Sequence, residues 1–113
     1  MAYVLDLNGS HQYTMELTLQ DTERTTLRIG LPTEAMAQEV QNIIPDLRKL
    51  EKGDEESIGI IYDLAARLIS RNRNFIKVTA EDLRKKYNMD LESAIVFFIA
   101  YIDFLNKVQS EKN

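Results

Sequence analysis

The residue types that commonly carry catalysis are scarce in this chain. His11 is the single histidine and cysteine is absent, so neither a thiolate nucleophile nor a thiolate metal site can form. His11 follows the turn Asn8-Gly9-Ser10, where an exposed imidazole is usual and no predicted neighbour brings it a serine and a carboxylate. We therefore expect no catalytic residue and no enzyme activity.

Acidic and glycine residues do not form a ligand pattern either. Asp54, Glu55 and Glu56 are consecutive, whereas a loop that binds a hard cation needs ligands at alternating positions and a turning glycine. The four glycines are isolated, and none precedes a lysine at the spacing of a phosphate-binding loop. We expect no metal site and no cofactor.

A basic stretch offers an alternative chemistry, contact with phosphate. Its members are Arg67, Arg71, Arg73, Lys77, Arg84, Lys85 and Lys86. Residues 79–105 resemble a helix-turn-helix, but the second helix presents phenylalanine and isoleucine where a recognition helix presents polar and basic residues. We expect a solvated basic face that pairs with the acid-rich segment 33–57, and nucleic-acid binding stays as the alternative.

Size and charge limit the remaining function classes. A chain of 113 residues with 44% hydrophobic residues can bury one core, which predicts a single domain over residues 1–113. A net charge of -4 and a pI near 5.0 argue against a protein that coats nucleic acid or an anionic membrane. The longest apolar run, residues 94–102, is far shorter than the roughly 20 residues of a membrane span. Without cysteines or a visible export signal, the cytoplasm is favoured.

The first third of the chain predicts strands. Apolar residues alternate with polar ones over residues 3–7, 13–19 and 25–31, and the first two segments are joined by the turn 8–10. The pattern predicts a three-stranded antiparallel meander over residues 1–31, with one apolar face to be covered.

Helices are predicted over residues 32–108, about four in number. Thr33 is the expected N-cap of the first, and Pro45 predicts a kink or a break because proline cannot continue a helix. A helix from residue 58 follows, then a short one opened by the near capping box 79–82. Residues 88–90 interrupt the chain before the last helix, 91–108, and residues 109–113 are predicted to fray. The fold class is therefore α+β, with the meander packed against a helical bundle.

The last helix carries more apolar residues than one helix face can hold. Phe97, Phe98 and Ile99 must point in three directions because successive residues lie about 100° apart. We assign Leu91, Ile95, Phe98 and Ile102 to the core. Either the helix is central in the core, or part of it is a subunit interface, and we favour the second alternative. The opposite side is then predicted to form a protein interface, with the residues Phe97, Tyr101, Phe104, Leu105 and Val108.

The order of these elements resembles a known protein family. A strand, Asn-Gly turn and returning strand over residues 3–19, an acidic helical region, and Val78-Thr79-Ala80-Glu81-Asp82-Leu83 leading into residues 94–104 resemble small tail proteins of phages and prophages of Gram-positive bacteria. The closest resemblance is to tail assembly chaperones. This resemblance implies a protein of the host cytoplasm that binds the tape-measure or tail-tube protein and self-associates. Another small head-tail protein is the nearest alternative within the resemblance.

Overall fold

Strands come first and helices follow in the part of the chain that the structure describes, residues 14–49 and 55–112 of a computed structural model. Within it, β1 spans Met15–Thr18 and β2 spans Thr26–Ile29. The α-helices are α1 (Glu34–Asn42), α2 (Ile44–Lys49), α3 (Glu55–Ile69) and α4 (Leu91–Lys112), and a π-helical segment, Asp82–Lys86, precedes α4. The α+β class and the number of helices are as predicted.

The sheet contains two antiparallel strands in the described residues. Leu17 lies opposite Leu27, and both point toward the core, while Glu16 and Arg28 lie opposite each other and point outward. The second and third predicted strands are thus present in shortened form. The first predicted strand, the turn 8–10 and the histidine at position 11 lie outside the described residues, so the three-stranded meander is not confirmed.

Local sequence rules account for the helix boundaries. The Thr33 hydroxyl accepts a hydrogen bond from the Met36 amide at 3.1 Å and caps α1. The chain leaves the first helix after Asn42 and starts the second at Ile44, immediately before Pro45, as predicted from the missing proline donor. Thr79 and Asp82 each accept from the other's backbone amide, which forms the predicted capping box.

Residues 71–74 lie along the edge of β2 that faces away from β1. The Gly30 amide donates to the Arg71 carbonyl at 3.0 Å, and the Arg73 amide donates to the Arg28 carbonyl at 2.9 Å. Ile29 and Asn72 are bridged in antiparallel fashion between these two bonds. β2 is therefore flanked on one edge by β1 and on the other by this segment.

The core is one cluster to which the sheet, α1, α3, the segment around Leu83 and α4 all contribute. Ile61, Leu64 and Leu68 of α3 are fully buried, and Phe98 and Tyr101 of α4 are the largest fully buried side chains. α4 continues through Lys112, so residues 109–112, which were predicted to fray, extend the helix instead. This segment contains no glycine or proline that would end a helix.

Candidate protein-binding surfaces

The predicted interface on the last helix is mostly buried inside the chain itself. Phe97, Tyr101 and Val108 are at most 6% exposed, so these three residues pack inside the chain and do not form the interface that was predicted from the sequence. The Tyr101 hydroxyl donates to the Gly30 carbonyl at 3.3 Å, and this burial raises the pKa of Tyr101 well above its usual range. Phe104 and Leu105 are half-buried against the same core.

The side of α4 that was assigned to the core is less buried than the side that was assigned to the interface. Phe98 is fully buried, as predicted, and its ring meets that of Phe97 edge to face at 5.2 Å between centroids. Leu91, Ile95 and Ile102 are only half-buried. The core side of α4 is therefore centred near residues 97, 98 and 101, between the two faces that were distinguished from sequence.

The apolar surface that α4 leaves in solvent is a different one. Val96 is 59% exposed and Ile99 is 60% exposed, and Ala100 beside them is exposed as well. These three residues, spaced i, i+3 and i+4, share one helix face, and we call them the α4 strip. Asp103 and Lys107, one and two turns further along, form an ion pair at 3.3 Å and end the apolar character of this face.

A groove runs beside the α4 strip, between α4 and β1. Its volume is about 560 Å³ and its lining is mainly apolar, with Met15, Leu17 and Phe97 among the residues that line it. Val96 and Ala100 of the strip also line this groove. The strip and the groove thus form one continuous, partly apolar surface.

One end of the groove is formed by the hydrogen-bonded residues before α4, among them Met89 and Asp90. The Asp90 carboxylate accepts from the Ser93 amide at 2.8 Å, and this bond lowers the pKa of Asp90. The buried Tyr62 hydroxyl donates to the Met89 carbonyl at 2.7 Å, and burial raises the pKa of Tyr62. These bonds fix residues 88–90, where the chain turns from the π-helical segment into α4.

The predicted basic stretch does not act as one patch. Arg67 is neutralised by Glu39 through two hydrogen bonds of 2.7 and 2.8 Å and by Asp63 at 3.1 Å. The guanidinium lowers the pKa of Glu39, and the pKa of Arg67 is raised in return. Glu39 belongs to the acid-rich segment 33–57, so one of the predicted acid-base pairs is present.

Three further basic residues lie on the π-helical segment and contact their own surroundings. The Arg84 guanidinium lies 4.9 Å from the centre of the Tyr62 ring, and Lys85 pairs with Glu81 at 3.1 Å. Lys86 lies 5.3 Å from the centre of the Tyr87 ring. Local contacts of this kind leave less of the charge available for phosphate.

The remaining basic residues flank a turn between α3 and the π-helical segment. Arg71, Arg73 and Lys77 flank Phe75, whose side chain is 97% exposed and whose φ angle is 59°. Arg71, Arg73 and Phe75 line one groove with Gly30 and Pro32. The run of polar residues 70–74 directly before Phe75 is the signal in the sequence that could have indicated an exposed aromatic ring.

Among the described residues, no group of three acidic or histidine side chains could hold a metal ion. Nor does any helix in residues 14–49 and 55–112 combine the length and the apolar character that crossing a membrane requires. Comparison of the chain with protein-family models, with curated proteins and with solved structures found no match.

Proposed function

We propose that this chain is a non-enzymatic assembly protein of the phage-tail type, which binds the tape-measure or tail-tube protein through the α4 strip and self-associates on it. The observation that supports this proposal is the exposure of Val96 and Ile99 next to an apolar groove. Large apolar side chains that stay in water beside such a groove are typical of protein-binding surfaces.

The shape of the surface favours a helical partner. The α4 strip has the spacing of one helix face, and the groove beside it can receive side chains that a second helix presents at the same spacing. A tape-measure protein, which is long and helical, would supply many such faces along its length.

The magnitude of the contact favours weak, repeated binding. Burying an aliphatic side chain completely contributes about 1.5 to 3 kcal/mol, so the exposed parts of Val96 and Ile99 contribute about 1 to 2 kcal/mol each. A dissociation constant of 1 μM requires about 8 kcal/mol, which two residues cannot supply. Many copies along one elongated partner would add their contacts through effective concentration, and each copy could still be released.

The test is co-purification with tape-measure and tail-tube proteins of phages of Gram-positive bacteria. Tagged segments of a tape-measure protein and a tagged tail-tube protein are co-expressed with the wild type, Ile99→Asp or Asn106→Asp. Asn106 is exposed two turns beyond Ile99 on the same face, so its variant carries the same added charge outside the apolar strip. The wild type and Asn106→Asp should be retained, and Ile99→Asp should be lost while its circular dichroism spectrum stays helical.

The proposal would be dropped if the wild type bound neither protein and stayed monomeric by mass measurement in solution. The alternative of nucleic-acid binding has its own readout. Retention on DNA at low salt that falls steeply as salt is added would support that alternative, because phosphate neutralisation releases counterions.

A further inference from the structure

Phe75 combines two unfavourable features. Its ring is 97% exposed, and its backbone is left-handed, with a φ angle of 59°. A positive φ is uncommon for any residue other than glycine and is a marked outlier for a bulky side chain. Neither packing nor backbone preference accounts for an aromatic residue at this position, which points to a role outside the folded chain.

The turn that carries Phe75 is braced without using the aromatic ring. The Asn72 side chain donates to the carbonyls of Ile69 and Ile76 and accepts from the amides of Asn74 and Ile76, at 2.6 to 3.0 Å. The Arg28 amide also donates to the Asn74 side chain at 3.1 Å, which ties the turn to β2. We call residues 72–76 the Phe75 turn. Because it is ordered before a partner arrives, binding would cost little conformational entropy.

The charged residues nearest to Phe75 in the sequence are basic. Between positions 64 and 80 they are Arg67, which pairs with Glu39 and Asp63, and then Arg71, Arg73 and Lys77. Within the described part of the chain, no carboxylate forms an ion pair with Arg71 or Lys77. A groove of about 680 Å³, lined partly by Leu31 and Pro32, lies beside the ring.

We infer that the Phe75 turn is a docking site for an acidic protein segment that carries apolar residues. The apolar residues of the segment pack on the Phe75 ring and in the groove beside Leu31 and Pro32, and its carboxylates face Arg71 and Lys77. Aromatic residues and arginine are the side chains most enriched at the centres of protein interfaces.

Single-stranded nucleic acid fits this surface less well than a protein segment does. Platforms for single strands stack successive bases on several aromatic rings, whereas Phe75 is the single aromatic residue in residues 63–86. An acidic peptide with apolar residues meets the local charge and the ring together.

This inference does not depend on the proposed function, because the Phe75 turn and the α4 strip share no residue. The experiment selects random displayed peptides on the immobilised wild-type protein, and synthetic copies of the selected peptides are then titrated by fluorescence anisotropy. The matched variants are Phe75→Asn and Ile99→Asn. Asparagine tolerates the left-handed conformation, so Phe75→Asn should keep or raise the thermal midpoint while it removes the ring.

The expected result is a set of peptides in which Asp or Glu flanks apolar residues. Their affinity should fall at least about thirtyfold in Phe75→Asn, the loss typical of an interface hot spot, and should be unchanged in Ile99→Asn. Lys77→Gln should weaken binding less and reduce its dependence on salt.

Several outcomes would overturn the inference. These are an empty selection, peptides without acidic residues, and equal affinity for Phe75→Asn. Loss of binding in Ile99→Asn instead would assign the peptides to the α4 strip. Competition by oligo(dT) at low salt would assign the site to nucleic acid, and a dimer of the wild type that Phe75→Asn abolishes would assign it to a second copy.

Discussion

Replacing Asn72 should reveal how much the Phe75 turn depends on one side chain. In Asn72→Ala, four hydrogen bonds to backbone groups are lost, two donated by the amide nitrogen and two accepted by the amide oxygen. A typical hydrogen bond contributes about 0.5 to 1.5 kcal/mol net, so the four bonds together contribute about 2 to 6 kcal/mol. Asn72 is half-buried, so water can replace some of the lost partners, and we expect a loss of about 2 to 3 kcal/mol.

The measurement is urea unfolding followed by circular dichroism, with Asn106→Ala as the matched control. Asn106 is exposed on α4, so the same substitution there should change the free energy of unfolding by less than about 0.5 kcal/mol. A loss below about 1 kcal/mol in Asn72→Ala would refute the reasoning, because four bonds to backbone groups cannot be that weak in this setting.

Asn72→Asp separates the donated bonds from the accepted ones. The introduced carboxylate can still accept from the amides of Asn74 and Ile76, but it faces the carbonyls of Ile69 and Ile76 without a proton to donate. The two accepted bonds lower the pKa of this carboxyl and the repulsion by the two carbonyls raises it. We expect the repulsion to dominate, which places the pKa in the folded state above its ordinary value near 3.9. Stability relative to the wild type should therefore recover as the pH falls through the raised pKa and be lost as it rises. A variant as stable as the wild type at pH 7 would show that the two donated bonds contribute nothing.

Three further predictions concern the core and the surface. Tyr62→Phe leaves the Met89 carbonyl without its 2.7 Å partner and should cost about 1 to 2 kcal/mol in urea unfolding, so an unchanged midpoint would contradict the buried bond. The raised pKa values of Tyr62 and Tyr101 keep both protonated in the folded state above pH 10, where the unfolded chain ionises. Stability should then fall as the pH rises past about 10, and a fall as steep in Tyr101→Phe as in the wild type would contradict this. Glu39→Gln should cost less than about 1 kcal/mol because both partners are more than 40% exposed, and the difference from the wild type should shrink in 1 M salt, where screening is strong. The contribution of Glu39 should be present above its ordinary pKa and be lost as the pH falls through the lowered one.

Local rules made several elements predictable from the sequence. The alternation over residues 13–19 and 25–31, the Thr33 cap, the break before Pro45 and the Thr79 capping box each depend on a few neighbouring residues. Such features reflect the covalent and hydrogen-bonding limits of the chain itself.

The orientation of α4 was not predictable in this way. Its apolar residues point in several directions, and spacing alone cannot say which direction meets the rest of the core. Tyr101 is buried and its hydroxyl donates a hydrogen bond to the carbonyl of Gly30, which is distant in sequence, whereas Val96 borders the groove between α4 and β1. These facts depend on how strands and helices are placed relative to one another, which the periodicity of a single helix does not contain.

Phe75 was missed for a related reason. A phenylalanine beside isoleucine and valine has the composition of a buried connection, and only Ile76 and Val78 follow that expectation. The direction of Phe75 is set by Asn72, whose side chain forces residues 74–76 into a tight turn, and by the pairing of Arg73 with Arg28. An asparagine in a polar run predicts a turn, but it does not predict that the neighbouring aromatic side chain points into solvent.

The two candidate surfaces are separated by the sheet. β2 pairs with β1 on one edge and with Asn72 on the other. The groove beside the α4 strip borders β1, and the Phe75 turn contains Asn72. Neighbouring strands in a sheet lie about 4.8 Å apart, so β1 and the segment around Asn72, on either side of β2, are separated by roughly 10 Å, the diameter of one helix. Because the surfaces also differ in charge, with Asp90 and Glu92 along the first and only basic residues flanking the second, they favour chemically different partners. Under the function proposed above, the α4 strip and the Phe75 turn would contact two different chains.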